Sequence, residues 1–111
     1  MSAPLKGIKI LDLTHMVAGP YGTMVLADLG AEIIKIEPPL KGEITRNLLK
    51  NDPDYSVDGV GAYHLTLGRN KKSLTLDLKS APGLNVFYEL VKRADVVIDN
   101  FSMGVTKRLK I

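Results

Sequence analysis

The chain has 111 residues, no cysteine and a formal net charge of +3, with 45% hydrophobic and 24% charged residues. That size suits one compact domain, and the lack of cysteine excludes disulfides and thiolate zinc sites. The basic residues are scattered rather than gathered into a nucleic-acid footprint, His15 and His64 are too far apart for a metal motif, and no run approaches the ~20 apolar residues that span a bilayer.

The N-terminus, Met1-Ser2-Ala3-Pro4-Leu5-Lys6, lacks the shape of a signal peptide, so a soluble cytoplasmic protein is the expectation. Ile8-Lys9-Ile10-Leu11-Asp12-Leu13 is a short, mostly apolar run of the kind found in buried parallel strands. Pro20 fits the first turn of a helix, and helical spacing puts Tyr21, Met24, Val25 and Leu29 on one side of it. Gly30 suits the position just past the end of that helix. Ile33, Ile34 and Ile36 then form a β-branched strand that Pro38-Pro39 stops.

Residues 39–58 show no clear period and are expected as a long loop, with one helical turn near 44–49. A short helix is predicted over 63–67. Ser73-Leu74-Thr75-Leu76-Asp77-Leu78 alternates with period two and is predicted as a third strand. Ser80 suits an N-cap with Pro82 just inside the helix, whose apolar stripe is Leu84, Phe87, Tyr88 and Val91. Lys92 and Arg93 suit its negative end. Val96-Val97-Ile98 is a fourth strand, and a last short helix starts near Gly104.

Strands alternating with helices imply a parallel sheet. Ligands of such sheets bind beyond the carboxyl ends of the strands. Residues 14–19, 37–38, 76–79 and 100–101 are therefore expected to meet at one edge. There, N–H groups at the start of the first helix would face a polar or anionic ligand, Phe101 would stack on a planar group, and Lys79 and Arg108 would pair with phosphates. Each also has a plainer role open to it: His15 as a turn cap, Asn100 as a loop residue, Lys79 and Arg108 as solvated charges, Phe101 as core. No nucleophile or general base is legible. The turn Ala18-Gly19-Pro20-Tyr21-Gly22-Thr23 departs from G-x-G-x-x-G, and Pro20 removes an N–H that a pyrophosphate would use. This weakens a nicotinamide reading in which Glu37 would hold a ribose.

Four ordered blocks resemble the N-terminal part of the family III CoA-transferases, a group that includes α-methylacyl-CoA racemase. They are the run from Pro4 to Thr14; Ala18-Gly19-Pro20 with Leu26-Ala27-Asp28-Leu29-Gly30-Ala31-Glu32-Ile33-Ile34-Lys35-Ile36-Glu37; Gly42-Glu43-Ile44-Thr45-Arg46; and Asn70-Lys71-Lys72-Ser73-Leu74 followed by Ala94-Asp95-Val96-Val97-Ile98-Asp99-Asn100-Phe101 and the run from Gly104 to Leu109. The resemblance implies an α/β, Rossmann-like parallel sheet with helices on both faces, residues 1–111 forming a CoA-binding domain within a larger fold. It implies coenzyme A as substrate rather than as a tightly bound cofactor, with contacts from His15, Val17, Ala18, Leu76, Lys79, Asn100, Phe101 and Arg108. It further implies an acyl-CoA and a carboxylic acid as partners and a homodimer at full length. The nucleophilic Asp of the family is expected beyond Ile111, which would leave this segment inactive alone. Its carboxylate would attack the thioester, and CoA thiolate would pass to an acceptor acid through a mixed anhydride. Racemase members move the proton α to the thioester instead. Val17 replaces a glutamine of formyl-CoA transferase, which argues against a formyl/oxalate pair, and Pro38 replaces an arginine that would contact phosphate. A non-catalytic CoA-binding module is the alternative from another class.

Overall fold

The computed structural model describes residues 2–111. In chain order it contains β1 (Lys9–Asp12), α1 (Ala18–Asp28), β2 (Glu32–Glu37), a single 3₁₀ turn (Ile44–Arg46), β3 (Ser56–Val57), β4 (Val60–Gly61), α2 (Ala62–Leu67), β5 (Lys71–Thr75), α3 (Ala81–Val91), β6 (Val96–Ile98) and α4 (Val105–Leu109). Four strands form a parallel sheet in the order β5-β2-β1-β6. The chain therefore builds outward from β1 on one side and returns to β1's other side with β6. The strand order reverses between β1 and β6, the position at which open parallel sheets bind ligands.

The sheet is covered on both faces. On one face Ile10 and Ile33 pack with Ala27 and Ala31, and Leu26 and Ile98 close around them. On the other, Leu11, Leu13 and Ile36 meet Phe87 of α3, flanked by Leu74, Leu84 and Leu90. This follows from the period of two along β1 and β2, which sends alternate residues to opposite faces. Burying Phe87, which is 2% exposed, contributes about 3 kcal/mol. Among the described residues no helix is long and apolar enough to cross a membrane.

Caps mark several boundaries. Ser80 Oγ accepts the Gly83 N–H at 3.1 Å, and Pro82 sits in the first turn of α3. Gly30, at φ 101°, follows the C-cap Leu29 in a left-handed conformation that costs glycine little.

Four expectations are corrected. The buried side of α1 is Pro20, Thr23, Met24 and Ala27, while Tyr21, Val25 and Leu29 are exposed. A polar tie decides this rotation: Thr23 Oγ1 donates to the buried Asp12 Oδ2 at 2.5 Å. The third strand ends at Thr75, not Leu78, because Leu76 and Leu78 extend the apolar cluster under α3 after the ladder has stopped. Asp77 consequently lies in the turn after the strand, where its carboxylate accepts the Lys79 N–H at 3.0 Å. On α3, Phe87 is buried, whereas Tyr88 and Val91 stay 41% and 37% exposed. Finally, the 39–58 loop runs into a small antiparallel hairpin of β3 and β4, with Asp58 (φ 50°) and Gly59 (φ 76°) at its tip.

Candidate functional site

The carboxyl ends of β1, β2 and β5 open onto a cleft of about 580 Å³. Its floor is Leu13, Ile36 and Leu76, and its rim carries His15, Glu37, Pro38, Pro39, Asp77, Leu78, Lys79, Phe101, Val105, Arg108 and Leu109. All four segments expected at one edge thus contribute to one cavity, joined by α4. The volume falls within the range of small-molecule sites, and apolar walls with a few polar groups are typical of them.

Each expected site residue has a definite place. Leu76 belongs to the apolar floor and Phe101 packs partly on the same cluster while facing the cleft. Lys79 and Arg108 are cations of the cleft wall, one after β5 and one on α4. The His15 and Phe101 rings lie 5.6 Å apart at a 40° tilt. Asn100 does not line the cleft. Its side chain clamps the backbone of His15 instead, Oδ1 accepting the His15 N–H at 2.9 Å and Nδ2 donating to the His15 carbonyl at 2.8 Å. Val17 and Ala18 also lie outside the cleft. They lead into α1, which packs on the face of the sheet away from it, so the first turn of α1 does not line this cavity. Pro38 and Pro39 give the β2 rim an uncharged surface.

The turn after β1 is held from three directions. Met16 takes a left-handed conformation (φ 67°), which costs a non-glycine residue about 1 kcal/mol or more. Its N–H donates to Glu43 Oε1 at 2.9 Å, while Asn100 holds His15 from the other side. Thr14 is buried and its hydroxyl donates to Asp12 Oδ1 at 2.5 Å.

Beneath this turn lies a buried ionic layer. Asp12, Lys35 and Glu37 occupy the α1 face of the sheet at its carboxyl end, where period-two spacing continues from Ile10 and Ile33. Lys35 Nζ reaches Asp12 Oδ1 at 3.4 Å and the Thr14 carbonyl. Burial pushes the Asp12 carboxyl up, but Lys35, the Thr14 and Thr23 hydroxyls and Lys71 outweigh it, and its pKa falls below the ordinary value. Burial also lowers the Lys35 ammonium, only partly offset by Asp12. Glu37 accepts Arg46 Nε at 2.6 Å and Nη2 at 2.8 Å, the Ser73 hydroxyl at 2.7 Å and the Glu43 N–H at 2.7 Å. Burial raises this carboxyl, yet these donors together bring it down to about 2. A carboxylate so occupied does not reach out to ribose hydroxyls, which removes the geometric basis of the nicotinamide reading.

Glu43, 1% exposed, escaped the sequence reading as a site residue. It caps the 3₁₀ turn, Oε2 accepting the Thr45 N–H at 2.8 Å and the Thr45 hydroxyl. His15 Nδ1 and His64 Nδ1 stand 3.7 and 3.9 Å from its two oxygens. Burial raises its carboxyl, but the histidines and the Met16 and Thr45 N–H groups overcome this and hold it well below the usual range.

A sequence model described as CoA-transferase family III matches residues 5–111. A formyl-CoA:oxalate CoA-transferase of Bradyrhizobium is 44% identical over 109 residues, covering 98% of this chain and 25% of the relative. The crystal structure of a CAIB/BAIF family protein from Brucella suis superposes with a TM-score of 0.88 at 36% identity, covering 100% of this chain and 29% of that one. A protein of Mycobacterium tuberculosis gives 0.84 at 38% identity over 97% of this chain and 28% of that one. The chain spans about a quarter of the length of the curated relatives it matches.

Proposed function

The chain belongs to CoA-transferase family III, and on that premise we propose that it supplies the CoA-binding wall of an enzyme that moves CoA between carboxylic acids. The observation that carries this reading is the pairing of two cations, Lys79 and Arg108, with one aromatic ring, Phe101, around an apolar-floored cleft. Coenzyme A combines a planar adenine, several phosphates and a long amide-bearing arm. Cations on the cleft wall suit its phosphates, and an apolar floor suits the flat ring and the arm. The acyl group is exchanged at the thioester end, and the acyl donor and acceptor acid are the enzyme's substrates.

The test is calorimetric titration of the protein with CoA, with 3′-dephospho-CoA and with NADH. Saturable CoA binding, weakened by loss of the 3′-phosphate and unmatched by NADH, is the expected result. NADH binding as tight as CoA binding, or no heat with CoA, would overturn the reading.

A further inference from the structure

Glu43 connects the cleft to the loop behind it. Three elements converge on its carboxylate: the turn after β1 through Met16 and His15, the 3₁₀ turn through Thr45, and α2 through His64. Each oxygen already accepts a backbone N–H, so the carboxylate has little freedom to rotate. Its Oε1 faces Nδ1 of His15, the residue whose backbone Asn100 clamps and whose ring lies against Phe101 in the cleft wall. The side chain of His15 is 33% exposed, whereas that of Glu43 is 1% exposed.

A carboxylate facing one ring nitrogen favours a proton on that nitrogen, which leaves the other nitrogen with its lone pair free. We propose that Glu43 is a positioning residue that holds His15 as the Nδ1–H tautomer and so presents Nε2 to the cleft as a hydrogen-bond acceptor. This assignment rests on the cleft being the CoA site. The ligand group recognised there is accordingly a donor, an amide N–H, hydroxyl or thiol of the CoA arm, and not a phosphate. The 3.7 Å separation is longer than a hydrogen bond. A ligand bonded to Nε2 polarises the ring and shortens that contact, as happens with positioning contacts when a site fills.

The test is NMR of protein carrying ring-¹⁵N histidine, at alkaline pH, with the His15 signals assigned against His15→Asn. Expected is a protonated Nδ1 and a bare Nε2 for His15, with the Nε2 signal moving when CoA is added. Glu43→Gln should raise the Nε2–H tautomer of His15 and weaken CoA binding about tenfold, the worth of one hydrogen bond. If that variant does not fold, the wild-type tautomer and its response to CoA decide. An Nε2–H tautomer for His15 in the wild-type protein would overturn the proposal, as would an Nε2 signal unmoved while CoA binds. Absence of CoA binding with the Nδ1–H tautomer intact would overturn the ligand assigned to the cleft and the acceptor role, and would uphold the Glu43–His15 pairing.

Discussion

Lys71 Nζ lies 3.1 Å from Asp12 Oδ2, and both side chains are closed off from solvent. Lys35 approaches the other oxygen of the same carboxylate, so one acid holds two buried ammoniums. Lys71 also donates to the Pro20 carbonyl at 2.9 Å and to Thr23 Oγ1 at 2.7 Å. Among the described residues no buried side-chain nitrogen or oxygen lacks a partner. Asp12→Asn removes the negative charge and leaves both cations uncompensated in a dry environment. A loss of about 3–5 kcal/mol is expected, read from the denaturant midpoint. Lys35→Met should cost less, because Asp12 keeps Lys71. An Asp12→Asn protein within about 1 kcal/mol of wild type would show that water reaches this layer.

The pH dependence of stability should carry the signature of Glu37. Its folded pKa, about 2, lies below the ordinary 4.5. Its contribution is therefore complete above the ordinary value and is lost as pH falls from there toward about 2. At neutral pH Glu37→Gln should be less stable than wild type by on the order of 3 kcal/mol. That difference should narrow across the same acidic window, because the wild-type carboxyl becomes neutral too. Parallel stability curves for the two proteins would contradict the bidentate Arg46 pairing as the source.

How legible these features are depends on their range. The strands β1, β2 and β6 follow from short apolar runs, whereas β5 holds one apolar residue, Leu74, and its period-two signal is displaced toward Leu78. Ser80, Pro82 and Gly30 announce helix ends by local chemistry. The cleft follows from the strand ends, since His15, Leu76, Lys79, Phe101 and Arg108 all line it. The ionic layer is not legible, because Lys71 reads as one of the scattered basic residues until it meets Asp12, 59 residues away. The bond from Thr23 to the same Asp12 carboxylate explains the misjudged face of α1. A two-residue Asp-Gly turn between Val57 and Val60 is a hairpin signal that the unpatterned loop around it obscures. Glu43 is a different case: acceptor-rich capping of a short turn is local, but its approach to two histidines from separate elements is not.

Affinity for CoA should depend on the two cations of the cleft. Lys79→Ala and Arg108→Ala are each expected to weaken calorimetric binding about three- to tenfold, in line with losing one charge-assisted contact. Neither side chain belongs to the apolar core, so the melting temperature should change little. Each variant should also show a shallower dependence of affinity on salt, because a screened charge pair has been removed. An unchanged affinity for either variant would take that residue out of the site.

The close approach of α1 to β1 rests on Gly19. A Cβ at that position would stand 2.5 Å from Thr14 Cβ and 2.7 Å from Thr14 Cγ2. Thr14 is 1% exposed and cannot swing aside, since its hydroxyl and its N–H both donate to Asp12 Oδ1. The added methyl therefore forces either α1 outward or Thr14 away from Asp12, and the second choice disturbs the acid that holds Lys35 and Lys71. Gly19→Ala is expected to cost about 1–3 kcal/mol in a denaturant titration, although alanine is the better helix former by about 1 kcal/mol. Combining Gly19→Ala with Thr14→Ser tests the cause. Serine keeps the hydroxyl for Asp12 and removes the Cγ2 methyl, so the double variant should recover part of the loss. If Gly19→Ala destabilises equally in the wild-type and Thr14→Ser backgrounds, the Cβ of residue 14, which serine keeps, sets the limit on how near the helix can come, not the threonine methyl.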